Sequence, residues 1–426
     1  MRGSTARPAA LWPMMLPPEQ QGQNRLCAVS AHGVRVIFAD GSTRLDGSSG
    51  LWNVLLGYGN VAIAEAIGRC ALNASYLTAW GHENTYARAA AESLVELSGG
   101  RFERVFFSTS GGACVDAALK MVRQYQDLTG AGSKRLVLAL EDGYHGLTYG
   151  AFSLTDAELG KKVYQVDGRT VGHIPANDVQ ALEKVLDRVG ADVAAVFVEP
   201  VLGTGAVPLT AGFIGTLLAA RARYDFLLVA DEISTGLGRT ATDMFDSLSW
   251  PQTPDLVLTG KALTNGVLPA SAILVNARVA EAFGRDGVVF AHAETQAGSS
   301  VVSAAVQATV SEIRRLDALG QARRVSARLD ILLARLVDEL PVVECVSGRG
   351  CMRALHLRTP EGGSYDGRAT VAAIDAVREA GAMLHAGPSA VQLLPAVVYS
   401  DEDLDRLVER VADGLEVFTR RRLDST

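Results

Sequence analysis

The sequence predicts an α/β protein, with a large, mostly parallel-sheet, three-layer domain joined to a smaller α+β domain. Three observations predict it. From about residue 104 to 275, short β-rich runs alternate with stretches of helical period, the pattern of β-α-β units around a parallel sheet. Several of those runs are continuously apolar, as strands covered on both faces require. Beyond about residue 300 the alternation gives way to a long helical segment, short strands and a closing helix. The expected division is 1–50 as an N-terminal arm or part of the small domain, 51–300 as the large domain and 301–426 as the small C-terminal domain. A chain of 426 residues is long enough to bury more than one core.

Taken in order, the apolar patch Ala9–Leu16 is interrupted by Pro13 and ended by Pro17-Pro18, so it reads as an ordered arm. Val34–Phe38 is strand-like. The large-domain strands are predicted at Arg104–Phe107, Leu136–Leu140, Val193–Val198, Phe226–Ala230, Leu256–Thr259 and Ala272–Val275. Between them, Val115, Ala118, Leu119 and Val122 recur at i, i+3, i+4 and i+7, and Leu182, Val185, Leu186 and Val189 do the same, so both stretches are predicted as helices packed on the sheet. In the C-terminal part the spacing predicts strands near Val342–Val346, Arg353–Leu357 and Val391–Leu394. The closing helix should start on a capping box formed by Ser400 and Asp403.

Composition narrows the function. Apolar residues make up 48%, charged residues 20% and aromatics 6%, values of an ordinary folded protein rather than a disordered or disulfide-dense one. The 40 basic and 47 acidic residues are interspersed and sum to −7, which leaves no footprint for nucleic acid or an anionic membrane. No apolar run approaches the roughly 18–20 residues that span a bilayer. Five cysteines without a C-x-x-C pair suggest neither a metal site nor a disulfide framework, so a reducing, cytoplasmic compartment is expected. A small molecule or a peptide is the expected substrate class.

The sequence lacks G-x-x-x-x-G-K-[ST], a post-strand G-x-G-x-x-G, H-E-x-x-H and G-x-S-x-G. Three other points could carry chemistry. Ser108-Thr109-Ser110-Gly111-Gly112 follows a predicted strand and opens a helix, where free backbone amides can hold a phosphate. Alone, a serine-capped turn explains it as well. Asp231-Glu232 ends the run Phe226–Ala230, at the carboxyl end of a strand, where open α/β sheets bind ligands. A carboxylate capping a turn is the plain alternative. Lys261 follows Leu256–Thr259 in the equivalent place, although loop lysines are usually just exposed. Together the three supply a partner each for a phosphate, a ring cation and an aldehyde, the three groups of pyridoxal 5′-phosphate (PLP).

At this point a resemblance becomes specific. Phe106–Ala113 (FFSTSGGA), Tyr144-His145-Gly146, Val198-Glu199-Pro200, Asp231–Thr240 (DEISTGLGRT) and Thr259–Leu263 (TGKAL) resemble, in order, the motifs of class III aminotransferases of fold type I. Gly50-Leu51-Trp52-Asn53 looks like that family's entrance motif, so the similarity covers nearly the whole chain. The resemblance implies that Lys261 bonds the PLP aldehyde and shuttles the proton, and that Asp231 pairs with the pyridine nitrogen. It implies that Ile233 and Tyr144 sandwich the ring and that Gly111 and Gly112 bind the phosphate through their amides. Thr295 matches a threonine supplied by the other subunit, which makes a homodimer the active unit. Glu199 is similar to a glutamate near the substrate, and Trp52 to a pocket residue, though an aromatic there is equally a packing anchor. His145 reads as a packed structural histidine at least as readily as a cofactor contact.

The sequence also departs from the family. Gly112 and Ala113 replace a hydroxyl residue and a glutamate, Ser234 stands where many members have glutamine, and Gly298-Ser299-Ser300 replaces an Asn-Pro. Gln392, in Val391–Pro395, takes the place of an arginine that grips α-carboxylates in many members. A neutral amide lacks the bidentate, charge-assisted hold of a guanidinium. One substrate is therefore expected to lack an α-carboxylate: an ω-amine or ketone, or a natural-product intermediate, with a peptide among the candidates. Arg349 or Arg353 remains available to bind the carboxylate of a donor amino acid. The expected reaction is ping-pong transamination. A PLP-dependent racemase or aminomutase of the same fold, or a non-catalytic PLP-binding protein, stands as the alternative.

Overall fold

The computed structural model describes residues 10–387 and 390–423. Ala9, at the start of the predicted arm, lies outside the described residues. Leu11, Trp12, Met14 and Met15 beyond it are highly exposed.

The large sheet has seven strands: β1 (Arg104–Ser108), β2 (Leu136–Leu140), β3 (Val171–Ile174), β4 (Val193–Val198), β5 (Leu227–Asp231), β6 (Leu256–Thr259) and β7 (Ser271–Val275). Their spatial order is β1-β7-β6-β5-β4-β2-β3. All pairings are parallel except those of β7, which runs antiparallel to both β6 and β1. The sheet is covered on both faces, as its apolar runs require: every residue of β4, β5, β6 and β7 is buried. β3 is absent from the sequence expectation because it is an edge strand in which three of four residues are only half-buried and one is Gly172. An edge with one covered face does not generate an apolar run.

The helix Gly111–Leu128 buries Val115, Ala118, Leu119 and Val122 as their spacing predicts, and Ser110 caps it by accepting from the Ala113 amide at 3.3 Å. The helix Val179–Val189 is capped by Asp178 and buries Leu182 and Leu186. On the C-terminal side, Val343–Arg349, Met352–Leu357, Ala390–Leu393 and His385–Ala386 form an antiparallel sheet backed by Gly367–Ala380 and Ala318–Glu339, with Asp401–Leu423 packed on both helices. The N-terminal strands Ala28–His32, Arg35–Phe38 and Thr43–Asp46 extend this part of the molecule, because Thr43–Asp46 pairs in parallel with Ala382–Met383.

The predicted capping box is only half made. Ser400 Oγ accepts from the Asp403 amide at 3.1 Å, but the Asp403 carboxylate turns away to pair with Arg35. An ion pair competes successfully with a second cap bond.

The hairpin between Val343–Arg349 and Met352–Leu357 is clamped onto the loop that follows β5. The Cys351 amide donates to the Arg239 carbonyl at 2.8 Å, and Arg349 pairs with the buried Asp246 at 2.7 Å. Gly350 has φ +60°, and a Cβ there would lie 2.2 Å from the Thr240 carbonyl carbon, so only glycine lets the two loops touch.

Candidate active site

Three strand ends converge on one cavity of about 880 Å³, lined among others by Ser110, Gly111 and Gly112 beyond β1, Asp231 and Ile233 at the end of β5, and Lys261 beyond β6. β1 lies two strands from β6 in the sheet, with β7 between, and β5 is next to β6, so carboxyl ends scattered through 150 residues of chain open on the same side.

The phosphate end is built by exclusion of side chains. A Cβ on Gly111 would lie 3.2 Å from Ile233 Cδ1, and one on Gly112 would lie 3.0 Å from Thr148 Oγ1. Both positions open a helix, whose first amides have no intrahelical acceptor, so their N–H groups are available to an anion.

Asp231 is buried. Its Oδ2 is 2.7 Å from His145 Nδ1, and its Oδ1 accepts from the Ile233 amide at 3.2 Å. A carboxylate can only accept, so Nδ1 carries the proton. Burial disfavours a charged imidazole, but the hydrogen bond and charge of Asp231, aided by Glu199, outweigh it and hold His145 above its usual value. The His145 amide is itself fixed by Thr155 Oγ1 at 2.9 Å, and its Nε2 is buried without a partner among the described residues. The resemblance left this histidine's role open; its adjacency to Tyr144 was the one available signal.

Lys261 has φ +42°, and its Nζ donates to Ser234 Oγ at 2.7 Å and lies 4.9 Å from the centroid of Trp52. Burial pushes its ammonium down to about 8, partly opposed by Asp231 and Glu199 and assisted by the Arg239 charge. About a tenth of the amine is then neutral at pH 7, far more than for an unperturbed lysine.

Trp52 closes a turn with four successive left-handed residues: Ser49 (φ +48°), Gly50 (+54°), Leu51 (+58°) and Trp52 (+69°). Three of the four carry a Cβ, at about 1–2 kcal/mol each. Other bonds hold the strain. Asp46 accepts from the amides of Ser48 at 2.9 Å and Gly50 at 2.7 Å, Ser49 Oγ donates to the Leu394 carbonyl, and the buried Arg239 donates to the Trp52 carbonyl at 3.0 Å. Strain of this kind, next to Lys261, marks a position that packing alone would not select. Trp52 itself is buried, edge-on to His385 at 5.5 Å, and sits behind the lysine rather than on the cavity wall.

Glu199 and Gln392 are also behind the wall. Glu199 accepts from the Tyr144 amide at 2.8 Å and the Gly203 amide at 2.9 Å, and burial, reinforced by the Asp231 charge and only partly opposed by His145 and these amides, pushes it up to about 7. Gln392 donates to the Gly203 carbonyl at 2.5 Å. Thr295 is exposed on the other side of the loop, its carbonyl accepting from Tyr76 OH at 2.7 Å.

The arginines held in reserve do not reach the cavity. Arg349 is paired with Asp246, and Arg353 with Asp330 at 2.6 Å as well as with Ser326 and backbone carbonyls. Their expected availability is thus corrected: both guanidinium groups are consumed in clamping the small-domain hairpin. Sequence reasoning also passed over the Ser234 bond to Lys261 and the wall formed by Asn53, Tyr58, Gly266 and Pro269.

The donor set fits PLP: helix-start amides for the phosphate, a buried carboxylate for the pyridinium, an amine of lowered basicity for the aldehyde, and Tyr144 and Ile233 lining the space between.

Comparison with known proteins agrees. The family model described as aminotransferase class-III matches residues 17–415. The diaminobutyrate–2-oxoglutarate transaminase of Halomonas elongata is 32% identical over 350 residues, covering 76% of this chain and 74% of that protein. The omega-aminotransferase of Caulobacter vibrioides is 26% identical over 427 residues, covering 94% and 96%. Among solved structures, the PLP-bound amine transaminase of an uncultivated Pseudomonas species superposes with a TM-score of 0.88 at 26% identity, covering 96% of this chain and 98% of that one. The chain belongs to the class-III aminotransferases, enzymes of fold type I that use pyridoxal 5′-phosphate.

Proposed function

We propose that the enzyme moves an amino group from a donor amine or amino acid to a carbonyl acceptor lacking an α-carboxylate, of the ω-amine or ketone type or a natural-product intermediate, peptides included. One observation carries the reading: no arginine lines the cavity among the described residues, and Gln392, Arg349 and Arg353 are each engaged elsewhere. A bare carboxylate has no bidentate partner there. Similarity to an omega-aminotransferase and to an amine transaminase supports the same substrate class.

In this reading PLP supplies an electron sink that acidifies the substrate carbon. The chain does the rest. Gly111 and Gly112 hold the phosphate, Tyr144 and Ile233 bracket the ring, and Asp231, oriented by His145, keeps the ring nitrogen protonated. Lys261 would be the amine that holds the aldehyde and the group that moves the proton at the reacting carbon; Ser234 and Trp52 fix where its Nζ rests. Glu199 and Trp52 back the wall of the substrate side, Glu199 through the Tyr144 amide and Trp52 behind Lys261.

We also propose a homodimer completed by Thr295 of each subunit. Trp80, Tyr76 and Leu77, on the same side as Thr295, are 69%, 46% and 41% exposed, an apolar surface suited to a second copy. The 1–50, 51–300 and 301–426 division is kept, supported by the separate sheets, with the first strands joining the small domain. Five unpaired cysteines support a reducing, cytoplasmic setting.

The test is a panel of ketones, aldehydes and α-keto acids offered to the PLP-loaded enzyme with a fixed amine donor. Faster turnover of uncarboxylated acceptors supports the reading. A preference for α-keto acids overturns the substrate class, and turnover without any acceptor points to racemisation or amino migration instead.

A further inference from the structure

A carboxylate of the chain itself, Glu294, lines a neighbouring cavity and bonds the two residues that lead into the phosphate cradle. Glu294, in the loop before the helix Ser300–Arg315, accepts from the Thr109 amide at 3.1 Å and from the hydroxyls of Thr109 and Ser108. Its side chain is 18% exposed, and its other neighbour is His292, whose Nε2 is 3.8 Å away. Lys120 Nζ touches the opposite ring nitrogen of His292 at 3.2 Å. Thr109 lines the same cavity as Ser110, Gly111 and Gly112. One amide and two hydroxyls converging on two carboxylate oxygens is the bonding pattern with which proteins hold a phosphate.

We propose that Glu294 is a resident anion that competes with the cofactor's phosphate for this end of the cradle, so that PLP and its aminated form are held loosely and exchange with solution. The proposal rests on the reading that Gly111 and Gly112 bind the phosphate. Two ways of accommodating a phosphate both weaken binding. If Glu294 stays, two like charges face the same short strand-to-helix turn, Glu294 on Ser108 and Thr109 and the phosphate on the glycines that follow. If it swings out, three hydrogen bonds are given up. The hydroxyls of Ser110 and Thr148 offset part of either cost, but Gly112 adds none of its own.

The experiment titrates the full-length cofactor-free protein with PLP and, separately, with pyridoxal, which has the same ring and aldehyde but no phosphate, following visible absorbance and the melting temperature. Glu294→Gln is expected to lower the Kd for PLP about tenfold, to enlarge the PLP-induced rise in melting temperature, and to leave the Kd for pyridoxal within about twofold. An unchanged Kd for PLP, or equal tightening of both ligands, overturns the proposal. Should Glu294→Gln not fold, Glu294→Asp withdraws the carboxylate by one methylene and is expected to give a smaller tightening for PLP alone; no change overturns the proposal. Equal affinity for PLP and pyridoxal in the unsubstituted protein and in Glu294→Gln alike overturns it through its foundation, since the phosphate would then gain nothing at this helix even without the carboxylate.

Discussion

Lys261 Nζ donates to Ser234 Oγ across 2.7 Å, although the two residues belong to loops after different strands. β5 and β6 are neighbours in parallel register, so the chain segments leaving them run side by side and the bond is short. It anchors the mobile end of the proposed proton carrier and favours its ammonium form.

Reductive labelling of Lys261 by a small aldehyde in the cofactor-free protein is therefore expected to rise with pH through about 8, the value to which burial pushes it. Ser234→Ala removes an acceptor from the charged form, so the labelling midpoint should fall below that of the unsubstituted protein. The same change is expected to lower kcat about three- to tenfold, since a freely rotating amine spends less time aligned. Peptide mapping across a pH series measures the midpoint; an upward move would mean that the hydroxyl does not favour the ammonium.

The His145–Asp231 pair makes a pH-dependent contribution to stability. The imidazole's pKa is raised above its unfolded value of 6.5, so its contribution is complete below that pH and disappears as pH rises through the folded value. In His145→Gln the contribution is absent at every pH. The stability gap between the two proteins, about 1–3 kcal/mol near pH 6, should narrow as pH rises above 6.5. Urea denaturation across a pH series reads it out, and a gap that widens with pH would contradict the assignment.

Gly350→Ala is expected to destabilise the protein by about 2–4 kcal/mol, because the new methyl group collides with the Thr240 backbone from a left-handed conformation. The collision separates the small-domain hairpin from the loop carrying Arg239. Chemical denaturation gives the loss, and a change below about 0.5 kcal/mol would show that the clamp yields freely.

Gln392→Arg tests substrate choice. An arginine at this position adds the bidentate carboxylate donor that the amide lacks, so turnover of an α-keto acid relative to its decarboxylated counterpart should rise about tenfold. Steady-state kinetics on the matched pair decides it. An unchanged ratio would separate Gln392 from specificity.

What the sequence by itself determined is the sheet and the chemistry at its strand ends. A strand buried on both faces must be apolar throughout, which is why Val193–Val198 and Leu256–Thr259 could be delimited to the residue. A helix opened by two glycines, a carboxylate and a lysine at strand ends are local features with their own chemical logic, so Gly111, Gly112, Asp231 and Lys261 stood out. β3 did not, because an edge strand half in water lacks that apolar signature. What only the tertiary structure decided is the partner of each polar group: His145 reaches Asp231 from 86 positions away, and Glu294 reaches Thr109 from 185. It also tied up Arg349 and Arg353, which the sequence left free to bind substrate. Periodicity records which face of an element is buried, whereas a hydrogen bond depends on where the chain returns to within about 3 Å. That return is set by the packing of whole elements, so it has no signature in the residues on either side.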